Sequence, residues 1–199
     1  MRIVIDGTVG AGKTTVLLGA SQRDELKRKF VSIKDMGFPV FTDLIIDVIQ
    51  MMRVQGIRDP SENWELFFRI ATQKAISYFE EADSQTISFY DRGILFLEIM
   101  AKRYGFEMPK EYYDFCRDHR YDAPVFIFTP VWGIDTTKPH KEDNKQKIYT
   151  ENDRKMQHQQ VIDLYKSYSY EIIEVPLGSS DINESVSYRL NMIKEVLNL

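Results

Sequence analysis

Arg2-Ile3-Val4-Ile5-Asp6-Gly7-Thr8-Val9-Gly10-Ala11-Gly12-Lys13-Thr14-Thr15-Val16-Leu17-Leu18 is the stretch from which the fold can be read. Its centre, Gly7 to Thr14, fits G-x-x-x-x-G-K-[ST], the phosphate-binding P-loop. Before it lies a β-branched run suited to a buried strand, and after it an apolar segment suited to a helix packed on a sheet. Strand, glycine loop and helix is the context that the motif requires. Glycines at 7, 10 and 12 let backbone N–H groups turn inward around phosphate oxygens with no Cβ in the way. The helix start at Lys13-Thr14-Thr15 adds free N–H groups and a positive dipole end. In this arrangement Lys13 reaches the β- and γ-phosphates and the Thr14 hydroxyl ligates Mg²⁺.

Working outward, the 199 residues suit one domain with a full core. Net charge is −4, with both signs spread along the chain, which argues against a dedicated nucleic-acid surface. The one cysteine, Cys116, excludes an intramolecular disulfide framework and reads as a half-buried thiol on a helix. The first strand begins at Arg2, so no signal peptide is expected, and no apolar run approaches the length of a membrane span. The expected location is cytoplasmic.

Four further strands follow at Pro39–Thr42, Gln85–Tyr90, Pro124–Phe128 and Tyr170–Val175. Phe30–Ile33 and Phe38–Phe41, around Gly37, suggest a hairpin or an irregular strand pair. Helices are predicted over Leu44–Gln55, Asp59 to Ala82, Ile94–Tyr104, Pro109–Arg120, Thr150–Tyr168 and Asp181–Leu197. Residues 130–149 are polar and carry Pro130, Gly133 and Pro139, which reads as a mobile loop. Five buried strands separated by helices imply an α/β fold with a parallel, doubly wound sheet, whose ligands bind at the carboxyl ends of the strands.

The polar residues at those ends therefore carry the chemistry. Asp91 directly follows the apolar run ending at Tyr90, where it can hold Mg²⁺ or accept a proton from a substrate hydroxyl; it can also simply cap a helix starting at Gly93. Arg92 offers a planar fork of donors to a phosphate or acceptor, or a structural ion pair with Asp43 or Asp91. Asp43 is either a general base across the cleft from Asp91 or the cap of the next helix. Arg69 and Gln73 lie four apart on one helix face and suit either an acceptor's base or sugar, or solvent. Arg154, after a run of lysines and acids, is the candidate for stabilising charge on the transferred group, as part of a lid that excludes water; an exposed, salt-bridged loop is the alternative. His119, His140 and His158 share no spacing and receive no role. Arg92 stands where a hydrolysing ATPase carries a water-activating Glu, and Asn144-Lys145-Gln146-Lys147 does not complete a guanine-reading N-K-x-D. Both facts move the reading towards phosphotransfer.

Gly7–Thr15, Asp43, Phe68 with Gln73, Asp91-Arg92-Gly93, Tyr121–Phe126, Asp153-Arg154 and Glu174-Val175-Pro176 occur in an order that resembles one family. It is the AAA-labelled P-loop family related to the nicotinamide-riboside kinase domain of the bacterial NAD regulator, within the wider nucleoside and nucleotide kinase-like group. The resemblance implies a three-layer P-loop fold with sheet order 2-3-1-4-5 and a helical lid, one domain over 1–199 with its lid at about 130–155. It implies adenosine phosphates on Gly10, Ala11, Gly12, Lys13, Thr14 and Thr15, adenine near Pro176-Leu177-Gly178, and Asp91 with Arg92 at the acceptor or metal. The expectation is thus an ATP- and Mg²⁺-dependent phosphotransferase acting on a small nucleoside-, nucleotide- or ribosyl-nicotinamide-like acceptor. A homodimer is left open, and no membrane or nucleic-acid partner is expected. The rivals are a nucleotide-dependent regulatory ATPase or switch, and a thymidylate-type monophosphate kinase with a second phosphate cluster near Arg53, Arg58 or Arg69.

Overall fold

Successive side chains of a strand point to opposite faces of its sheet, so an unbroken apolar run must be covered on both sides. The computed structural model, which describes residues 1–8, 10–19, 30–122, 124–130 and 150–199, has this architecture. Strands β1 (Arg2–Gly7), β2 (Val40–Phe41), β3 (Ser88–Asp91), β4 (Val125–Phe128) and β5 (Ile172–Val175) form one sheet in the order β2-β3-β1-β4-β5. Every pairing is parallel. On one face Ile3, Ile5, Phe89, Phe126 and Phe128 pack with α1 (Lys13–Leu18) and α7 (Ile182–Leu197). On the other, Val4, Tyr90, Val125 and Ile127 meet α2 (Leu44–Val54), α3 (Trp64–Glu81), α4 (Phe96–Arg103), α5 (Lys110–Asp118) and α6 (Glu151–Ser167). The result is the expected three-layer parallel α/β fold with its 2-3-1-4-5 order.

The register places the site. Ile5 of β1 lies opposite Asp91 on one side and Phe126 on the other, so Asp91 leaves β3 alongside the residues that lead into the glycine loop.

Three local expectations are corrected. Phe30–Ile33 forms no strand. Phe30, Ser32 and Ile33 are buried and Val31 is exposed, but the segment pairs with no strand of the sheet, and Lys34–Met36 follow as a 3-10 turn. The helix expected from Asp59 to Ala82 is interrupted. Asp59 and Glu62 close a capping box around the 3-10 turn Pro60–Glu62, and Asn63, outside the helical region, then caps a new helix by accepting from the Leu66 N–H. Arg92 has φ +76°, which breaks the chain direction after β3 and delays α4 to Phe96. The lid expectation for 131–149 lies outside the described residues; the end of that segment is α6, capped by Thr150.

Cys116, expected to be half-buried, is buried on α5, and burial pushes its thiol up to about 12. Among the described helices none is long and apolar enough to cross a membrane.

Candidate active site

The loop geometry follows from its glycines. Gly7, Gly10 and Gly12 all have positive φ, a region that L side chains rarely adopt. At Gly7 a Cβ would also stand 2.6 Å from the Phe128 carbonyl oxygen, so β4 presses directly on the loop entrance. Gly12 precedes α1, whose first residue, Lys13, folds back into the loop. Its Nζ donates to the carbonyls of Gly7 at 3.0 Å and Thr8 at 2.9 Å. Burial there, and next the nearby Arg92 cation, lower the Lys13 ammonium to about 8. An ammonium held this way is ready to exchange carbonyls for phosphate oxygens.

Thr14 and Asp91, predicted as metal ligands, are joined: the Thr14 hydroxyl donates to Asp91 Oδ2 at 2.8 Å. Asp91 is buried, and its second oxygen, Oδ1, has no hydrogen-bond partner among the described residues. Burial pushes the carboxyl up, against the pull of Lys13. A buried carboxylate oxygen without a donor is costly. The hard oxygen donors of Thr14 and Asp91 beside such an orphan fit Mg²⁺, held directly or through its waters.

At Asp43 and Arg92 the helix cap and the ion pair are both present. Asp43 caps α2, its Oδ1 accepting from the Ile45 N–H at 3.0 Å, while Oδ2 accepts from Arg92 Nε at 3.2 Å. Arg92 is buried, donates from NH1 to the Gly7 carbonyl at 3.2 Å, and stacks over Phe96 at 4.0 Å. Its NH1 also lies 3.7 Å from Asp6 Oδ1. The arginine thus ties Asp43 to the glycine loop through Asp6 and Gly7. A positive φ on a non-glycine residue stores strain that the surroundings must hold.

Asp6 received no individual role from the sequence. It is fully buried beneath the loop, accepts from the Gly7 N–H at 2.7 Å and the Tyr165 hydroxyl at 2.9 Å, and has its carboxyl pushed up by burial despite Arg92 and Lys13. Tyr165 sits on the apolar face of α6 beside Val161 and Ile162, so its sequence position read as core. Gly93 makes room for it: a Cβ there would meet the Tyr165 hydroxyl at 2.5 Å.

The remaining predicted residues are placed as follows. Pro176 and Gly178 form the turn after β5; the Pro176 carbonyl accepts from Arg189 Nε at 2.9 Å, and Tyr188 covers Gly178. Thr15 accepts from the Gly19 N–H through its carbonyl, closing α1, and Ala11 is buried in the loop. Arg69 and Gln73 are exposed on α3 and make none of the described bonds that join Asp6, Asp43, Asp91 and Arg92. Arg53 and Arg58 are exposed as well. Arg154 is half-buried in the first turn of α6, its N–H donating to the Thr150 carbonyl at 3.1 Å.

Comparison with known proteins follows the same lines. The sequence matches the family profile described as AAA domain over residues 2–184. No curated protein matches it. Deoxyadenosine kinase from M. mycoides, solved with bound dATP, is similar with a TM-score of 0.52 and 16% identity, covering 100% of each chain. Thymidylate kinase from Ehrlichia chaffeensis is similar with a TM-score of 0.52 and 18% identity, covering 98% of this chain and 97% of that one. At such identities the likeness is one of fold, that of the P-loop kinases. With nearly its whole length matched, the chain belongs to the AAA domain family.

Proposed function

We propose that the chain is an ATP- and Mg²⁺-dependent phosphotransferase that moves the γ-phosphate to a small acceptor of the nucleoside, nucleotide or ribosyl-nicotinamide type. The observation that carries this reading is the pair of carboxylates in two environments. Asp91 is bonded to the Thr14 hydroxyl and buried, whereas Asp43 is held by Arg92 and remains 22% exposed. The first suits the metal; the second suits a proton acceptor open to an incoming hydroxyl.

In this mechanism Lys13 and the loop N–H groups hold the β- and γ-phosphates. Thr14 and Asp91 would hold Mg²⁺, which would neutralise charge on those phosphates. Asp43 takes the acceptor's proton as its oxygen bonds to the γ-phosphorus and the bridging oxygen leaves with ADP. Arg92 fixes Asp43 in place and adds positive charge beside the transferred group. Arg154 is the proposed second cation at that group, and Pro176 with Gly178 the side that adenine faces. Arg69 and Gln73 remain proposed acceptor contacts.

The AAA family match favours one other reading, a nucleotide-dependent regulatory ATPase. Against it stands Arg92, in the place of a water-activating Glu. A thermal-shift screen of nucleosides and monophosphates with non-hydrolysable ATP, followed by ADP release with each hit, separates the two. Acceptor-dependent ADP release supports the phosphotransferase. Slow release that no acceptor changes, with nucleotide-dependent binding of a protein partner, supports the regulatory ATPase.

A further inference from the structure

Arg189 is a cation in an unusual place. It projects from α7 within the apolar stripe of Val186, Leu190 and Ile193, and only 2% of it is exposed. No described carboxylate lies within ion-pair distance of it. Its donors go instead to backbone carbonyls from separate segments: Nε to Pro176 at 2.9 Å, NH2 to Thr129 at 3.0 Å, and NH1 to Ala11 of the glycine loop. Its guanidinium plane lies over Phe128 at 4.7 Å. Burial alone lowers it to about 10, so it stays charged at neutral pH.

Burying an arginine with no counterion among the described residues is expensive, and a Met or Leu would fill the same stripe without that cost. The geometry shows what is gained. In a trans peptide the carbonyl and the following N–H point in opposite directions. No peptide in the described chain is cis. Holding the Ala11 carbonyl back towards α7 therefore turns the Gly12 N–H the other way, away from the guanidinium. Gly12 is pressed into this arrangement from the same side, since a Cβ there would lie 3.3 Å from Arg189 NH1. The same fork fixes the ends of β4 and β5, which border the loop.

We propose that Arg189 is a positioning residue for phosphate binding: it orients the Ala11–Gly12 peptide so that its N–H faces a bound phosphate, and its charge adds to the field there. The role rests on the nucleotide-site reading above. A lysine at 189 keeps the charge and most of the stem but cannot span carbonyls of separate segments with a rigid fork. A methionine keeps only the stem.

The test is the affinity of wild type, Arg189→Lys and Arg189→Met for ADP and for adenosine by calorimetry, with folding followed by circular dichroism. The expected result is folded variants whose ADP affinity falls about 10- to 100-fold, the worth of one hydrogen bond to a charged group. Adenosine affinity should stay within about threefold, which a general loosening of the fold would not produce. Variants that bind ADP as wild type does overturn the role. Equal losses for ADP and adenosine, or loss of folding in both variants, reduce Arg189 to a structural staple and also overturn it. Wild type that binds neither ATP nor ADP overturns the phosphotransferase reading itself, which separates that failure from the failure of Arg189.

Discussion

Replacing Arg92 by Met keeps much of the side-chain volume against Phe96 but removes the cation between Asp43 and Asp6. Asp43 is partly open to water and can rehydrate, whereas Asp6 is fully buried. Breaking a buried ion pair by deleting one partner costs about 3–5 kcal/mol, because the remaining charge is left without compensation. For a chain of this size that is a melting temperature lower by roughly 6–20 °C. The sign of the pH dependence is a sharper test. Burial already raises the Asp6 carboxyl, and Arg92 is the largest influence pulling it down. Without Arg92 the carboxyl rises further above its unfolded value. The native state then binds more protons than the unfolded one, and lowering the pH favours the native state. Urea unfolding of wild type and Arg92→Met at pH 7.5 and 5.5 should show the deficit shrinking on acidification. Adding Asp6→Asn should recover a large part of it at pH 7.5, since the amide can still accept from Gly7 and pair with Tyr165. A loss below about 1 kcal/mol at both pH values, typical of an exposed pair, would refute the view that Arg92 neutralises a buried charge.

The other expectations concern the loop and its metal side. Because the Lys13 ammonium is lowered to about 8, it loses its proton as pH rises from 7 to 9. A bound phosphate favours the charged form, so ADP affinity should weaken across that range with proton uptake on binding; calorimetry in buffers of different ionisation enthalpy measures both, and a flat profile would contradict it. Lys13→Ala should keep the circular dichroism spectrum and lose turnover. Gly7→Ala should cost about 2–5 kcal/mol in urea unfolding, since φ +136° and the Phe128 carbonyl both oppose a Cβ. Asp91→Asn still accepts from Thr14 but lacks the charge; nucleotide binding without metal should be unchanged while the gain on adding Mg²⁺ disappears, and an undiminished gain would leave Asp91 a turn residue.

The central strands β1, β3 and β4 were readable because their apolar stretches are buried on both faces; the edge strands β2 and β5 are only partly buried. The glycine loop was readable because positive φ and close backbone approach leave few residues to choose from. The cap and the ion pair at Asp43 could not be told apart from a catalytic role in the sequence, because a strand-end carboxylate has two oxygens: here the cap uses one and the arginine the other. Tyr165 and Arg189 were hidden by their positions. Each lies in register with a helix's apolar stripe, and only the presence of a polar end on a core face marks them. Arg189, between Val186 and Leu190, was the stronger of those signals. The false strand at Phe30–Ile33 has a plain cause. So short a run carries no usable period, and its backbone bonds go to α1 and the residue that closes it, Val16 and Gly19, and not to a neighbouring strand.

Cys116 gives the molecule an internal clock. Only the thiolate reacts with alkylating reagents, and at neutral pH a thiol with its proton held to about 12 is ionised to roughly one part in a hundred thousand. The side chain is also covered on α5. Alkylation must therefore wait for α5 to lift from the sheet layer. As the chain has no second cysteine, the labelling rate of the unaltered protein reports how often that helix opens, and a ligand that tightens the fold will be seen to slow it.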